Sequence, residues 1–467
     1  MMRRPARELT RREFLAVAGA AAALPLVDRM GPLAREPRRI RIRSVALDFE
    51  REPLIRPTGF KGGYLTELWQ PIARLESDSG RSHIGLGTQS VLWCDPAVLA
   101  KHSESAGNAL MLAVTDRALQ MVVGETFTTP VELLDRILPE LHEFACRVTG
   151  LPALRRTFAL NALVPVDNAA WLLYADENGI KTFDEMIPTE FRSGLSHRNR
   201  TVASLPSVTY GLPIEDVVRA AADGYFVIKV KLGNPGTQAE MIEKDIARMT
   251  AVHRALAGAR TRHTSDGKLR YDLDPNQRYE RKETLLRLLD AARKIGAFDQ
   301  VAFMEEPFPD ENDEHVRDVP VRIVADESVT RATDAARRIE QGYAGFALKG
   351  IAKTLSETLK IAKLAQEQKL VCMAADLTVN PVLVDWNKNV AARLAPFPGF
   401  TSGMMETNGH QQYRRWNEMV SYHPCADAPW RRVNRGVFEL GDDFYARSGC
   451  ILEESAHYRG LVTAGGK

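Results

Sequence analysis

Beyond residue 200 the chain alternates short apolar runs with amphipathic stretches of helical spacing, and this alternation limits its fold more than any other feature. Each apolar run is predicted to be a strand that leads into a helix. The runs occupy residues 202–207, 226–232, 269–274, 301–305, 321–326 and 346–349. Strands that alternate with helices form parallel sheets. Six or more such units in succession favour a closed barrel over an open, doubly wound sheet.

The preceding part of the chain has a different pattern. Residues 39–49 and 72–87 read as strands of a small antiparallel sheet with a turn at residues 78–81. Residues 53–63 are rich in proline and glycine and are predicted to be a loop. From about Ala106 to Gly150 the apolar spacing becomes helical, so this part is expected to be α+β.

Residues 1–35 are predicted to be an export signal and linker. The sequence Thr-Arg-Arg-Glu-Phe-Leu at residues 10–15 precedes an apolar, alanine-rich run that ends near Val27. A basic region before a short apolar run is typical of a secretory signal, and the paired arginines resemble a twin-arginine signal. We therefore expect a periplasmic protein with no membrane-spanning segment once the signal is removed. The alternative is a basic tail.

Charge and cysteine content exclude several classes of protein. The 467 residues carry a net charge of +2, and the first 30 contain six arginines against three acids, so the remainder is close to neutral. A near-neutral body gives no electrostatic surface for nucleic acid. The five cysteines are scattered and odd in number, and their spacing predicts neither a zinc site nor a disulfide framework.

Two lysines in the run at residues 226–232 are expected to face the barrel interior. Side chains alternate between the two faces of a strand, so Lys229 and Lys231 share one face while the apolar residues share the other. Two inward ammonium groups are costly unless anions compensate them. The alternative is a solvated edge strand.

Three carboxylates follow at the ends of successive runs. Asp274, Glu305 and Asp326 each lie where a barrel strand ends, and this is the edge at which barrels place catalytic groups. Such a set would repel itself without a cation, and all-oxygen ligation suits magnesium. Each residue alone also fits a turn, a surface position or a helix cap.

Lys349 ends the run at residues 346–349 and is expected to reach the same edge from farther round the barrel. Lys231 and Lys349 would then approach a metal-bound substrate from opposite sides. A lysine acts as a base only when its pKa falls, and a nearby cation together with Lys229 would lower it. The chemistry implied is removal of a proton α to a carboxylate.

These residues, in this order, resemble the enolase superfamily, and most closely its muconate-lactonizing and dipeptide-epimerase branch in the mandelate racemase family. Such sites use a lysine or histidine base with magnesium. The resemblance implies Mg²⁺, or Mn²⁺, held by Asp274, Glu305 and Asp326, with Lys231 and Lys349 as catalytic lysines. It implies supporting roles for the residues that orient these groups. They are Lys229, Asn276 and Glu327.

The resemblance also implies an architecture. It is an α/β fold, a modified TIM barrel of (β/α)7β type, under an N-terminal α+β capping domain. The cap corresponds to residues 36–195 and the barrel to residues 196–415. Residues 416–467 are expected to pack back onto the cap.

Substrate recognition is where the sequence departs from the family. Dipeptide epimerases carry Asp-x-Asp on the eighth strand, whereas this chain has Glu406 in the run Met-Glu-Thr-Asn-Gly. The segment at residues 57–64 has the glycines and aromatics of a mobile lid. His410 is expected to be an ordinary loop residue. The remaining candidate substrate contacts are Asp376, Phe60, Lys61 and Tyr64.

The sequence therefore predicts an isomerase that racemises or epimerises an amino-acid or dipeptide-like acid through an enediolate. One alternative is a cycloisomerase, or a lyase that catalyses syn elimination, because the intermediate is shared. The other is a non-catalytic exported binding protein on the same fold. The expected partner is a small carboxylate, and a homo-oligomer is expected.

Overall fold

The structure, a computed structural model, describes residues 37–464, so the predicted export signal lies outside the described residues. It begins with an antiparallel sheet in the order β3-β2-β1-β4. The strands are β1 (Ile40–Phe60), β2 (Gly63–Ser77), β3 (Ser82–Leu86) and β4 (Thr126–Phe127).

The tip of this sheet corrects the prediction of a loop at residues 53–63. β1 continues to Phe60 and pairs with β2, and only Lys61 and Gly62 form the turn, at φ 50° and 76°. The register shifts between Pro53 and Thr58, so the prolines lie at an irregularity in the pairing. Proline in a strand is tolerated at such places. The predicted lid is therefore a β-hairpin.

Six helices follow in the N-terminal part. They are α1 (Val91–Cys94), α2 (Pro96–His102), α3 (Glu104–Val122), α4 (Pro130–Thr149), α5 (Arg156–Asn178) and α6 (Phe183–Met186). α4 shows why the sequence is helical here, because Thr129 caps its first turn and Gly150 ends it in the left-handed conformation. Almost all of α5 is buried.

The parallel sheet of the barrel follows. Its strands are β5 (Thr201–Leu205), β6 (Ser207–Val208), β7 (Val227–Lys231), β8 (Arg270–Asp274), β9 (Val301–Glu305), β10 (Ile323–Ala325), β11 (Gly345–Leu348), β12 (Val371–Ala374) and β13 (Gly403–Glu406). β5 and β6 are one strand interrupted at Pro206. β5 pairs with β13 and β6 pairs with β7, so this strand joins both ends of the sheet. The predicted fold class is confirmed.

The helices of the barrel are α7 (Ile214–Ala222), α8 (Gln238–Leu256), α9 (Lys282–Lys294), α10 (Ala332–Gln341), α11 (Gly350–Lys353), α12 (Leu355–Glu367) and α13 (Pro381–Ala391). One prediction is wrong here. The run at residues 301–305 does not lead into a helix, and residues 306–322 form a helix-free connection. The chain leaves β9 through Glu306, whose φ of 38° lies outside the helical range, and the connection continues through Pro307 and Pro309.

The C-terminal part contains α14 (Gly409–Gln412), α15 (Trp416–Ser421), β14 (Val433–Asn434), β15 (Val437–Glu439), α16 (Asp442–Arg447) and α17 (Ala456–Ala464). β15 pairs antiparallel with β5, along the part of that strand that precedes Pro206. The hairpin β14–β15 thus completes the wall between the first two barrel strands. No strand is predicted here from the sequence.

The same region corrects the prediction about cysteines. Cys425 and Cys450 form a disulfide with a Cα–Cα distance of 6.2 Å. It encloses the residues between them, including the hairpin β14–β15. Spacing along the sequence could not indicate this bond, because the two cysteines are 25 residues apart and meet only in the fold.

Contacts tie the two ends of the chain and the two layers together. His457 Nε2 lies 2.9 Å from Glu50 Oε1 of β1. Asp167 of α5 accepts hydrogen bonds from the backbone of Leu355 and Ser356 in α12.

Residues from 39 onward form one compact unit, so the predicted boundaries at 195 and 415 stay predictions. No helix among residues 37–464 is long and apolar enough to cross a membrane.

Candidate active site

The carboxyl ends of the parallel strands bring the predicted acids and lysines together. Asp274 ends β8, Glu305 ends β9, and Asp326 follows β10 directly. Lys231 ends β7 and Lys349 follows β11. All five residues are buried, and none is more than 8% exposed. The register of β7 and β8 pairs Lys229 with Asp272 and Lys231 with Asp274.

Lys229 is the centre of this cluster. Its Nζ donates to both carboxylate oxygens of Glu305, at 2.8 and 2.7 Å, and to Glu406 Oε2 at 3.0 Å. Asp274 Oδ2 lies 3.2 Å away. Burial alone would lower the pKa of the Lys229 ammonium, but these carboxylates outweigh it and raise that pKa well above its ordinary value. Lys229 therefore stays charged and holds the carboxylates in place.

Lys231 and Lys349 approach the cavity above the sheet. Lys231 Nζ donates to Asp274 Oδ2, and Lys349 Nζ donates to Asp326 Oδ2 at 2.6 Å. Both side chains line the same cavity. Burial lowers the pKa of Lys349, but the Asp326 carboxylate more than reverses this and raises it. The two predicted catalytic lysines thus reach one space, each held by a different predicted metal ligand.

Two further buried groups belong to the cluster and were missed from the sequence. Lys353 Nζ donates to Asp326 Oδ1 at 3.1 Å and to its backbone oxygen at 2.8 Å. Asp272 lies 3.7 Å from Lys229 Nζ, and burial raises the pKa of its carboxyl to about 7. Periodicity could have found both. Lys353 follows Lys349 by four residues at the start of a helix, and Asp272 shares the face of Asp274 on β8.

A chain of hydrogen bonds runs from the lid hairpin to the lysine predicted as base. Lys61 Nζ donates to the backbone oxygen of Trp93 at 2.9 Å and to Glu327 Oε1 at 3.4 Å. Asn276 Nδ2 donates to the same Glu327 oxygen at 3.0 Å and to Asp274 Oδ2 at 3.2 Å. Asp274 in turn accepts from Lys231. The predicted lid is therefore joined to the predicted catalytic residues through buried charged groups and one amide.

The candidate substrate contacts divide into two groups. Phe60, Asp376 and Glu406 line the cavity. Lys61 does not line it but bonds Glu327. Tyr64 is 50% exposed and packs edge-on against a tyrosine ring of the barrel, outside the cavity.

The two acids among these contacts are already engaged. Glu406 accepts from Lys229 and from the backbone N–H of Asp376 at 3.0 Å. Asp376 accepts from the backbone N–H groups of Leu377, Val379 and Asn408 at 2.8 to 3.3 Å. These bonds fit a turn role for Asp376, since Asn380 caps the following helix α13.

The cavity itself is tight. It holds about 40 Å³, which is space for little more than one water molecule. The cap supplies a largely apolar roof, including Leu54, Leu65 and Trp93. Entry of an organic acid therefore requires movement of the cap, and the hairpin carrying Phe60 forms part of the roof.

The charges of the cluster fit a divalent cation. Within the described residues that surround the strand ends, eight buried carboxyl groups face five lysines and one arginine, which is two more acidic than basic groups. The carboxylates are Asp272, Asp274, Glu305, Glu306, Asp326, Glu327, Asp376 and Glu406. The basic groups are Lys61, Lys229, Lys231, Lys349, Lys353 and Arg338. Burial and neighbouring carboxylates raise the pKa of Glu305 well above its ordinary value. A hard cation with oxygen ligands would relieve this surplus.

The spacing of the three predicted ligands is wider than a metal shell. Among residues 37–464, one set of three acid, thiol or imidazole side chains has its ligand atoms within 4.8 Å of one another. It consists of Cys425, Cys450 and Glu453, and the two cysteine sulfurs are already bonded together. The ammonium groups lie between the barrel carboxylates instead. Coordination by Asp274, Glu305 and Asp326 therefore requires their oxygens to draw closer.

Comparison with known proteins agrees with this geometry. Residues 214–420 match a family model described as enolase C-terminal domain-like. The barrel of this chain is thus similar to the enolase superfamily, as the sequence predicts. No protein with a curated description matches the chain by sequence.

Solved structures share the fold at low sequence identity. A mandelate racemase/muconate lactonizing protein from Herpetosiphon aurantiacus has a TM-score of 0.59 and 18% identity over 86% of this chain and 96% of its own. A dipeptide epimerase from Enterococcus faecalis V583, complexed with Mg and L-Leu-L-Tyr, has a TM-score of 0.56 and 17% identity over 86% and 97%. An N-succinyl Arg/Lys racemase from Bacillus cereus ATCC 14579 has a TM-score of 0.57 and 14% identity over 80% and 89%.

Proposed function

We propose that this protein is a Mg²⁺-dependent enzyme that removes the proton α to a substrate carboxylate and returns a proton at the same carbon. The observation that carries the proposal is the pair Lys231 and Lys349, which line one small cavity while each is bonded to a predicted metal ligand. The surplus of buried carboxylates supports the metal, and the names of the neighbouring structures support the reaction class. Racemisation or epimerisation is therefore the first choice.

Three carboxylates, Asp274, Glu305 and Asp326, would hold the metal, with Lys229 fixing Glu305 and Glu406 beside it. When bound, Mg²⁺ stabilises the charge that develops on the substrate carboxylate. A lysine on each side of the cavity can take a proton from one face and deliver it to the other. The Asp326 carboxylate is the group that raises the pKa of Lys349. If Asp326 turned from Lys349 towards the metal, the pKa of Lys349 would therefore fall.

We propose an amino-acid or dipeptide-like acid as substrate. The roof of Phe60, Leu54, Leu65 and Trp93 favours an apolar side chain. Glu406 is bonded to Lys229, so it would bind a substrate amine only by exchanging that partner. A cycloisomerase or lyase is the second candidate, since one lysine would then act as base and the other as a charge partner.

The test is exchange of the α-proton in deuterated water. Purified protein with Mg²⁺ is incubated with single stereoisomers of N-acyl amino acids, dipeptides and hydroxy acids, and NMR follows loss of the α-proton signal. We expect exchange that chelation abolishes. Lys231→Ala and Lys349→Ala should each lose exchange with one stereoisomer and retain it with the other. Lys363→Ala, at an exposed surface lysine, is the matched control.

The outcomes of this experiment distinguish the proposed reaction from elimination and from a non-catalytic binding protein. Exchange that persists after chelation and in both lysine variants contradicts the proposed metal and bases. Turnover without deuterium at the α-carbon of recovered substrate, and loss in only one lysine variant, favours elimination. Absence of exchange with every acid, together with saturable binding, favours the binding-protein alternative.

We also propose export to the periplasm. The disulfide between Cys425 and Cys450 supports this, because such bonds persist in oxidising compartments. A reporter fused to residues 1–35 should be exported, and replacement of Arg11 and Arg12 by lysine should stop it. Unchanged export of that variant argues against a twin-arginine signal.

A further inference from the structure

A second cavity lies behind the active site and is far larger. It holds about 540 Å³, whereas the active-site cavity holds about 40 Å³. α13, the residues after β13, α15 and the segment before β14 form its walls. A volume of this size lies within the range of small-molecule sites, roughly 300–1,000 Å³.

One loop separates the two cavities. Glu406 and Asn408 line the active-site cavity, whereas Thr407, Gly409 and His410 line the second one. Thr407 and Asn408, which join β13 to α14, thus line opposite cavities. A molecule in the second cavity would contact the reverse side of the residues that carry Glu406.

The second cavity has a positive end. Asp385 is shared by three basic side chains, with Lys388 Nζ at 2.5 Å, His423 Nε2 at 3.0 Å and Arg431 Nε at 3.7 Å. The side chains of this group are at most 7% exposed. Burial lowers the pKa of His423, and it also lowers the pKa of Lys388 in spite of the Asp385 carboxylate.

Two exposed residues at the rim, Arg432 and Asp427, also contribute charge to the lining of the second cavity. Within residues 37–464, the guanidinium of Arg432 has no hydrogen bond or ion pair to any side chain or backbone group, and it lines the cavity. Asp427 also lines the cavity, at the exposed rim. With Lys388, Arg431 and Arg432 against Asp385 and Asp427, the lining carries one net positive charge.

The opposite wall is aromatic. The rings of Tyr225 and His410 are parallel within 9°, at a centroid distance of 6.1 Å, and Trp416 lies 6.3 Å from His410 in an edge arrangement. Burial lowers the pKa of His410 to about 4, so its ring is neutral at neutral pH. The wall therefore offers flat, uncharged surfaces against which a ring can stack.

We propose that this cavity is a second ligand site, which binds an aromatic molecule carrying one carboxylate. The ring lies against His410 and Trp416, and the carboxylate lies at Arg431 and Arg432. Because the segment at residues 406–410 lies between the two cavities, occupancy of this site is expected to change substrate binding in the active site. The binding itself does not depend on the proposed reaction.

The test uses 2-naphthoate as the probe and isothermal titration calorimetry as the readout. The neutral analogue 2-naphthalenemethanol controls for the carboxylate. We expect saturable binding of naphthoate and binding of the alcohol weaker by about tenfold, the factor that ~1.4 kcal/mol produces. Arg432→Ala should weaken naphthoate binding by about the same factor. It should leave folding intact, because this exposed side chain bonds nothing in the described chain.

Three further variants make the test specific. Ser421→Trp places a large ring into the cavity from an exposed position and should abolish binding. Arg435→Ala, at an exposed arginine outside the cavity, should leave binding unchanged. Lys231→Ala shows which cavity binds the probe, because Lys231 lines only the active-site cavity. Binding that is lost in Lys231→Ala but kept in Ser421→Trp, or no saturable binding of naphthoate, overturns the proposal.

Discussion

Replacing Lys61 with methionine should loosen the lid hairpin by an amount that the structure allows us to calculate. The Lys61 ammonium is 5% exposed and is the only cation within hydrogen-bond distance of Glu327 in the described chain. Glu327 is 1% exposed, and its Oε2 has no hydrogen-bond partner among residues 37–464. The substitution leaves that buried carboxylate with a single donor, Asn276 Nδ2. Methionine keeps the length and the apolar stem of the side chain.

Removing one partner of a buried ion pair costs about 3–5 kcal/mol. The lower end applies here, because the Lys61–Glu327 distance of 3.4 Å is long for a hydrogen bond and because burial already lowers the pKa of Lys61. If the cost falls on the closed hairpin, about 3 kcal/mol changes the ratio of closed to open lid by about 150-fold. Lys61→Arg retains a cation and should lose much less.

Hydrogen–deuterium exchange of residues 57–64 measures this without any substrate. We expect faster exchange in Lys61→Met by up to about two orders of magnitude. Lys363→Met removes a surface lysine whose partner, Glu367, lies 3.9 Å away, and should change exchange and stability by less than about 0.5 kcal/mol. A double-mutant cycle of Lys61→Met with Glu327→Gln should give a coupling energy above about 1 kcal/mol. A coupling near zero, or equal exchange in the two methionine variants, refutes the reasoning.

Three other predictions concern stability and the roof of the cavity. Burial raises the pKa of Asp167 from 3.8 to about 7, so the native state binds its proton more tightly than the unfolded state does. Stability relative to Asp167→Asn should therefore fall by up to about 4 kcal/mol as pH rises from 4 to 7, measured by urea denaturation; a rise over this window contradicts the shift. Replacing both Cys425 and Cys450 with serine should cost about 3.5 kcal/mol in the same assay, and no loss would mean that the bond does not form. Phe60→Ala should lower kcat/KM for the substrate found by exchange, whereas Tyr64→Ala should leave it unchanged.

The repeating strands and helices of the barrel could be predicted from the sequence. Elements that interrupt this repeat could not. Parallel strands and their carboxyl ends follow from the alternation of apolar runs with helices, and this pattern located Asp274, Glu305 and Asp326. The connection after β9 broke the pattern, because Glu306 leaves the strand at φ 38° and no helix follows before β10. The hairpin β14–β15 escaped because its strands have two and three residues, too short for any periodicity. Its turn, Arg435-Gly436 at φ 47° and 80°, was the one available signal.

Residues that share a strand or helix face could be predicted, but their partners from distant segments could not. Lys229, Lys231 and Asp272 follow from alternation along β7 and β8. Glu406 meets Lys229 across 177 residues, and Lys61 meets Glu327 across 266. Only the closed fold brings these charges together.

A glycine-rich hairpin with a lysine and aromatic rings looks like a substrate-reading surface in the sequence. In the structure its lysine points into the protein and bonds a carboxylate, and of the three predicted contacts on the hairpin only Phe60 lines the cavity. The hairpin is thus held by an ion pair with Glu327, which Asn276 joins to the predicted metal ligand Asp274. A change in the charge around Asp274, through substrate or cation, should therefore alter lid closure through Glu327 and Asn276, which links binding at the strand ends to movement of the cap.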